Sequence, residues 1–292
     1  MNQVTLILLK LLLRELGDAV LYGGCYIIAL DPTYVAKVKG KMAGVQMWKQ
    51  NSDNPDRGEQ VTGHNWAIGG LPVRLGDMWR CFPIRTRLIS GKLNPSHFVV
   101  SPKGECHPMS FREAVPALVF QAAGMLTGHP VCMVADAYFA KAGFINPLTE
   151  KSITLATRLR HDAVGWDDPV YKGRGRPPVR GIKWKLADLW EQGIRETVTV
   201  HIYGRLTEVS FVVREVWLRG VSQKVKVVVT EGISRPVLPV CTDLNMTVRQ
   251  ITELYAARFS IEITRLSGNS YYSSYSVKTM RYHFFPIFCI AY

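Results

Sequence analysis

"CYIIALD", Cys25 to Asp31, is a short, almost wholly apolar run that ends in a carboxylate and is followed at once by Pro32. Its length and its Ile and Tyr content predict a strand buried on both faces, as in a sheet sandwiched by helices. A second run of the same kind, "VCMVAD" from Val131 to Asp136, predicts another such strand. Each carboxylate is expected at its strand's C-terminal end.

Between and around these runs the pattern is mixed. Ahead of them, "VTLILLKLLLREL" predicts a leading, mostly buried helix whose Lys10 and Arg14 share one narrow wet stripe. It is too short to span a membrane and has no cleavage site of a signal sequence. The runs "AGVQMWKQ", "HNWAIGG" and "MWRCFPIRTRLI", separated by turn-rich "NSDNPDRGEQ", predict a meander of strands, with Gly23-Gly24 and Gly69-Gly70 as turns. Ser110 and Glu113 form a capping-box pair, but Pro116 argues for a helix starting a few residues later. Pro169 to Ala187 holds Lys172, Arg174, Arg176, Arg180, Lys183 and Lys185 with no acid among them, an irregular basic loop ended by Tyr171 and Trp184. The stretches "ETVTVHIYG", "LTEVSFVVREVWL" and "KVKVVVTEG" then predict a small antiparallel unit. A last helix opens on the capping pair Thr247 and Gln250; at helical spacing Tyr255, Arg258 and Glu262 share one face beside an apolar stripe of Leu254, Ala257 and Ile261.

The composition narrows the classes of partner. The chain has 292 residues, 47% of them hydrophobic, and a net charge of +13, enough apolar content for a real core and a charge that suits a polyanion such as DNA. Its six cysteines, Cys25, Cys81, Cys106, Cys132, Cys241 and Cys289, form no C-x-x-C pair, and its seven histidines show no metal-ligand spacing. Reduced, buried thiols and a cytoplasmic setting are the expectation.

Two carboxylates on separate buried strands and a third on a helix can converge where strand ends meet that helix. Hard divalent ions take oxygen ligands, and two such ions roughly 3.5–4 Å apart serve the attacking and leaving oxygens of a phosphodiester displacement. Asp31, Asp136 and Glu262 are the candidate ligands; Arg258 and Tyr255 suit a phosphate backbone. Asp162, Asp167 and Asp168 are alternatives as ligands, and Asp243 suits the turn before the last helix.

"IIALDPTY", "VADAYF" and "TDLNMTVRQITELYAARFSIE" resemble the DDE transposases of bacterial insertion sequences. The subgroup in question carries the signature Y-x-x-R-x-x-x-E-x-x-x-x-x-x-K, whose first three positions match Tyr255, Arg258 and Glu262. The resemblance implies an α/β, RNase H-like catalytic core with a β-strand-rich insertion between the second Asp and the Glu-bearing helix. On that reading 1–22 is a leading helix, 23–165 the first part of the core, 166–240 the basic loop and insertion, 241–264 the completing helix, and 265–292 a tail unlike the family. It also implies two Mg²⁺ ions, with Mn²⁺ as a substitute, held by Asp31, Asp136 and Glu262. The partners it implies are terminal inverted repeats and target DNA, and a homodimer on paired ends near the bacterial nucleoid.

The chain departs from the pattern where Asn269 stands in place of the signature Lys, and no Asp or Glu follows Glu262. Together with the short lead into Asp31, this suggests a catalytic domain altered at both ends. A catalytically defective DNA-binding remnant and a host nuclease on the same fold are the competing expectations.

Overall fold

The computed structural model describes residues 3–37, 42, 44–49, 60–89, 98–100, 106–108, 110–171, 173, 175–176, 178–202, 204–232 and 235–261. In chain order these form α1 (Gln3–Leu16), β1 (Leu21–Tyr22), β2 (Cys25–Ala36), β3 (Gln46–Lys49), β4 (Gln60–Leu75), β5 (Met78–Ile89), β6 (Phe98–Val100) and β7 (Cys106–Pro108). There follow α2 (Phe111–Ala123), β8 (Val131–Val134), α3 (Ala142–Glu150), β9 (Ile153–Leu159), β10 (Val164–Trp166), β11 (Lys183–Lys185) and the single turn α4 (Leu189–Gln192). The chain continues through β12 (Glu196–Ile202), β13 (Arg205–Trp217), β14 (Lys224–Thr230), β15 (Leu238–Cys241) and α5 (Val248–Ala257).

One large, mostly antiparallel sheet organises this mixed α/β molecule. Its order is β11-β10-β13-β14-β15-β9-β8-β2-β4-β3, with β1 on β2, β5 on β4 and β12 on β13. Only the pairs β2–β8 and β8–β9 are parallel, the arrangement that a strand-helix-strand connection through α2 and then α3 produces. The strand-rich stretch after β9 does not close on itself; β13 and β14 continue the same sheet through β15 to β9.

Strand alternation sorts the core onto two faces. On one, Ile28, Leu30, Met133, Ala135 and Leu155 pack with Val115, Leu118 and Val119 of α2 and with Phe144 and Ile145 of α3. On the other, Ile27, Ala29, Cys132, Val134, Ala156 and Cys241 pack with Ile251 and Leu254 of α5 and with Ile261 beyond it. Both capping boxes form, Ser110 with Glu113 and Thr247 with Gln250.

Three expectations need correcting. α2 starts at Phe111, with Pro116 inside it rather than in a later first turn; the proline is buried, and its packing offsets the helix hydrogen bond that it cannot donate. Of the described side chains of α1 only Leu9 is buried, and Ile7, Leu8 and Leu11 are exposed at 56%, 43% and 40%. The helix lies along one edge of the core, so that only the Leu9, Leu12, Leu13 and Leu16 stripe meets it. Gly23-Gly24 is a turn, but Gly69-Gly70 lies inside β4, at a shift of register against β5. A Cβ on Gly70 would stand 2.3 Å from the Cys81 sulfur. Gly70→Ala is therefore expected to lower stability by about 1–3 kcal/mol, read from the urea midpoint.

The thiols of Cys81, Cys132 and Cys241 are buried and not joined in disulfides. Burial pushes Cys81 and Cys241 up to about 12, which leaves them as inert thiols near neutral pH. No helix among the described residues is long and apolar enough to cross a membrane.

Candidate active site

The register of the parallel strands sets the two aspartates at corresponding places. Ala29 of β2 lies beside Val134 of β8, the last pair of that register, and Asp31 and Asp136 each follow two residues beyond it, where β8 has already ended. Neighbouring strands are about 4.8 Å apart. Alternation fixes the face: Ala29 and Val134 belong to the apolar cluster under α5, so Asp31 and Asp136 point to that side, just beyond it. Both are half-buried.

Asp31 is not at the end of its strand, as the sequence suggested. β2 runs on through Pro32 to Ala36, paired with β4. The paired stretch with β8 has ended by then, and a proline is tolerated where a strand keeps a neighbour on one side only. Asp136 does leave its strand at this level. Its carboxylate caps the turn of Ala137–Phe139 by accepting the Tyr138 N–H at 2.9 Å. The Thr157 hydroxyl donates to the carbonyls of Ala135 and Asp136 at 3.0 and 2.7 Å, which fixes the backbone beneath the carboxylate.

α5 lies over β8, β9, β14 and β15 and brings its polar stripe to the same place. Arg258, buried, closes the helix, with its guanidinium 4.1 Å from the centre of the Phe259 ring and 5.8 Å from that of Tyr255. Burial pushes the Tyr255 hydroxyl up against the pull of Arg158 and of Arg258, which also hydrogen-bonds it, while Asp136 adds to the rise. Tyr255, Arg258, Arg158 and Asp136 therefore share one electrostatic neighbourhood.

Arg158 had no signal in the sequence. Val134 pairs with Ala156, and Arg158 of β9 follows that pair by two residues, as Asp136 does, on the same face and exposed. An isolated arginine in a strand resembles any solvent-facing residue until its register is known.

Other candidates lie elsewhere. Glu262, Lys172 and Arg174 fall outside the described residues. Arg176, Arg180, Lys183 and Lys185 are exposed at the β10–β11 edge of the sheet, six strand spacings from β8, which is on the order of 30 Å. Trp184 is engaged there: its N–H donates to Asp167 at 2.7 Å, and Arg214 stacks on its ring at 3.9 Å. Asp167 also accepts from Arg214 Nε and Nη2, and that guanidinium holds its carboxyl below the usual range. Asp168 is bound to Lys224 and Trp217, which leaves it, like Asp167, committed to structural partners. Asp243 accepts the Asn245 N–H at 2.9 Å, as a turn residue does.

No family model matches the chain, and no curated protein matches it. Among solved structures it is similar to a piggyBac transposase in a synaptic complex with hairpin DNA. That likeness has 9% identity and a TM-score of 0.39, and covers 93% of this chain and 45% of that one. It is also similar to the NurA nuclease from Sulfolobus solfataricus, at 8% identity and a TM-score of 0.31 over 94% of this chain and 99% of that one. The chain thus spans less than half the length of the transposase. At such TM-scores neither likeness bears on activity, and the reading rests on the chain's own residues.

The two carboxylates fit a hard divalent cation in donor type and in access to solvent. Among the described residues no three of His, Cys, Asp and Glu converge.

Proposed function

We propose that this chain is the catalytic domain of a DDE transposase on an RNase H-like core, with the strands between β9 and α5 as its insertion. It would cleave DNA at the ends of its own element and join the freed 3′ end to target DNA. The observation that supports the reading is that Asp31 and Asp136 each follow, by two residues, the last pair of the adjacent parallel strands β2 and β8, with Tyr255 and Arg258 of the last helix region acting electrostatically together with Asp136.

Asp31 and Asp136 would hold Mg²⁺ or Mn²⁺, with Glu262 as third ligand. A bound pair of such ions polarises the phosphodiester and steadies the charge on both the entering and the leaving oxygen. The protein's own residues do the positioning. Arg258 pairs with a phosphate oxygen, Tyr255 donates a hydrogen bond to the same backbone, and Arg158 adds positive charge beside Asp136. Water adds to phosphorus as the bond to the 3′ oxygen breaks; the water's proton goes to solvent and the 3′ oxygen takes one up. The 3′-hydroxyl then attacks a target phosphodiester in the same manner. A homodimer on paired ends and a place on the bacterial nucleoid belong to the same proposal, as does the division at residues 22, 165, 240 and 264.

The test is nicking of a labelled duplex carrying the element's terminal repeat, in Mg²⁺ or Mn²⁺ against EDTA. The expected result is metal-dependent nicking, reduced roughly ten- to a hundredfold by Arg258→Ala with lesser loss of binding. Salt-sensitive binding with no metal-dependent nick would overturn the enzymatic reading in favour of a DNA-binding remnant. Cleavage of any duplex without regard to the repeat would favour a nuclease.

A further inference from the structure

We infer a second phosphate-binding surface for duplex DNA, formed by Arg112, Lys141 and Arg160 on the α2–α3 flank of the aspartate pair; it rests on the proposed DNA-processing role.

None of these residues stood out in the sequence, because they come from three separated elements. Packing of the helix starts brings two of them together. Phe111, the first residue of α2, meets Tyr138 at 5.7 Å and Phe144 of α3 at 6.2 Å between ring centres, and Phe139 meets Phe144 at 5.0 Å. This aromatic cluster sits directly after Asp136, so it pins the N-terminal ends of both helices beside the carboxylate. Arg112 lies in the first turn of α2 and passes close to α3; a Cβ on Gly143 would stand 3.9 Å from its Cδ. Lys141 is the residue before α3, and its ammonium sits 4.0 Å over the Tyr138 ring. Arg160 follows the end of β9, two residues beyond Arg158. All three are exposed.

The cluster is electrostatically adverse as it stands. Among the described residues none of the three takes part in an ion pair. Arg112 and Lys141 also stand at helix N-termini, where the peptide dipoles disfavour a cation. Burial first, and then Arg160 and Arg112, push the Lys141 ammonium down, with Asp136 opposing them. Cations gathered at mutual cost need an anion, and a nucleic-acid backbone supplies one at regular spacing. Tyr138, half-buried beneath Lys141, adds a hydroxyl donor of the kind that contacts phosphate. With Arg158 and Arg258 on the α5 face, the DNA backbone would be held from both flanks of the aspartates.

The experiment measures binding of a short labelled duplex to the full chain in EDTA between about 50 and 200 mM salt, where each phosphate contact contributes about −0.9 to the slope of log K against log salt. Wild type is compared with Arg112→Gln/Lys141→Gln/Arg160→Gln and with a control losing the same charge at exposed Lys10, Arg205 and Arg219. The expected result is a slope shallower by about 2–3 in the triple variant and by less than about 1 in the control. Lys141→Glu alone, scored against wild type at equal thermal midpoint, keeps the test informative if the triple variant folds poorly; its affinity should fall at least tenfold. An unchanged slope, or an equal change in the control, overturns the inference. Nicking on the same samples separates the two readings. Metal-dependent nicking with an unchanged slope sinks this surface alone, while a shallower slope in a protein that never nicks sinks the hydrolytic reading alone.

Discussion

Asp31→Asn and Asp136→Asn, each alone, are expected to reduce metal-dependent nicking by roughly a thousandfold or more, the scale of several kcal/mol that metal-ion catalysis contributes. Asparagine is the informative replacement. At position 136 the native carboxylate accepts the Tyr138 N–H, and an amide oxygen can still do so, which preserves the turn that follows β8. At position 31 the backbone pairing with β4 is untouched by the side chain. The urea midpoints should therefore stay close to wild type, while an amide, carrying no charge, holds a divalent cation far more weakly than a carboxylate. DNA binding in EDTA should persist, since removing a negative charge beside the backbone does not oppose it. Two variants that nick at wild-type rates would sink the assignment of this pair. One silent and one dead would move the site toward the sensitive residue and its other neighbours.

How much of this was legible depended on whether a residue's role is local. The two apolar runs that end in Asp31 and Asp136 announce buried strands, because a continuous hydrophobic stretch of that length has few other uses. That both aspartates lie two residues beyond one strand pair follows only from the parallel register of β2 and β8, which no local pattern encodes. The capping pair Thr247/Gln250 is a local device and was readable as written, whereas Ser110/Glu113 was set against Pro116, whose burial within α2 no local pattern announces. The basic run from Lys172 to Lys185 was equally conspicuous. Its described members nevertheless fall at the far edge of the sheet, because the strands between β9 and α5 are inserted between that edge and the aspartates. Less conspicuous cations lie on the Asp136 side of the sheet instead: Lys141 interacts with that carboxylate and with Arg112 and Arg160, and Arg158 of β9 stands two residues past the pair Val134–Ala156. Single charges scattered through strands and helix starts look like ordinary solvent contacts until the fold gathers them.

Glu253 is the acid that sequence reasoning passed over, and its loss is expected to cost about 3–5 kcal/mol of folding stability. It is one of three acidic side chains near the last helix, four residues before Ala257 and thus at the edge of the apolar stripe of α5. Its side chain is only 2% exposed. The carboxylate accepts the His201 N–H of β12 at 2.7 Å and the Arg249 Nε at 3.0 Å, takes the Tyr22 hydroxyl from β1, and has Arg74 of β4 at 3.9 Å. It ties α5 to three other strands two residues before Tyr255. In Glu253→Ala the Tyr22 hydroxyl and the His201 N–H lose their acceptor inside the protein, which is the costly half of breaking a buried network. Burial pushes the Glu253 carboxyl up, but the hydrogen bonds from Tyr22, His201 and Arg249 outweigh it and hold the group below its ordinary value of 4.5. A depressed acid stabilises the fold above its unfolded pKa, and that contribution is lost as pH falls through the lower folded value. The stability gap between wild type and Glu253→Gln should accordingly be constant near neutrality and narrow below about pH 4.5. At the alkaline end the sign reverses: burial and then Glu253 push the Tyr22 phenol above its ordinary value of 10.0, so wild type should lose stability as pH rises beyond that point, and Tyr22→Phe should lose less. Urea melts across this range decide the matter. A Glu253→Ala cost under about 1 kcal/mol, or a gap to Glu253→Gln that does not narrow in acid, would mean that α5 is held by its apolar face alone.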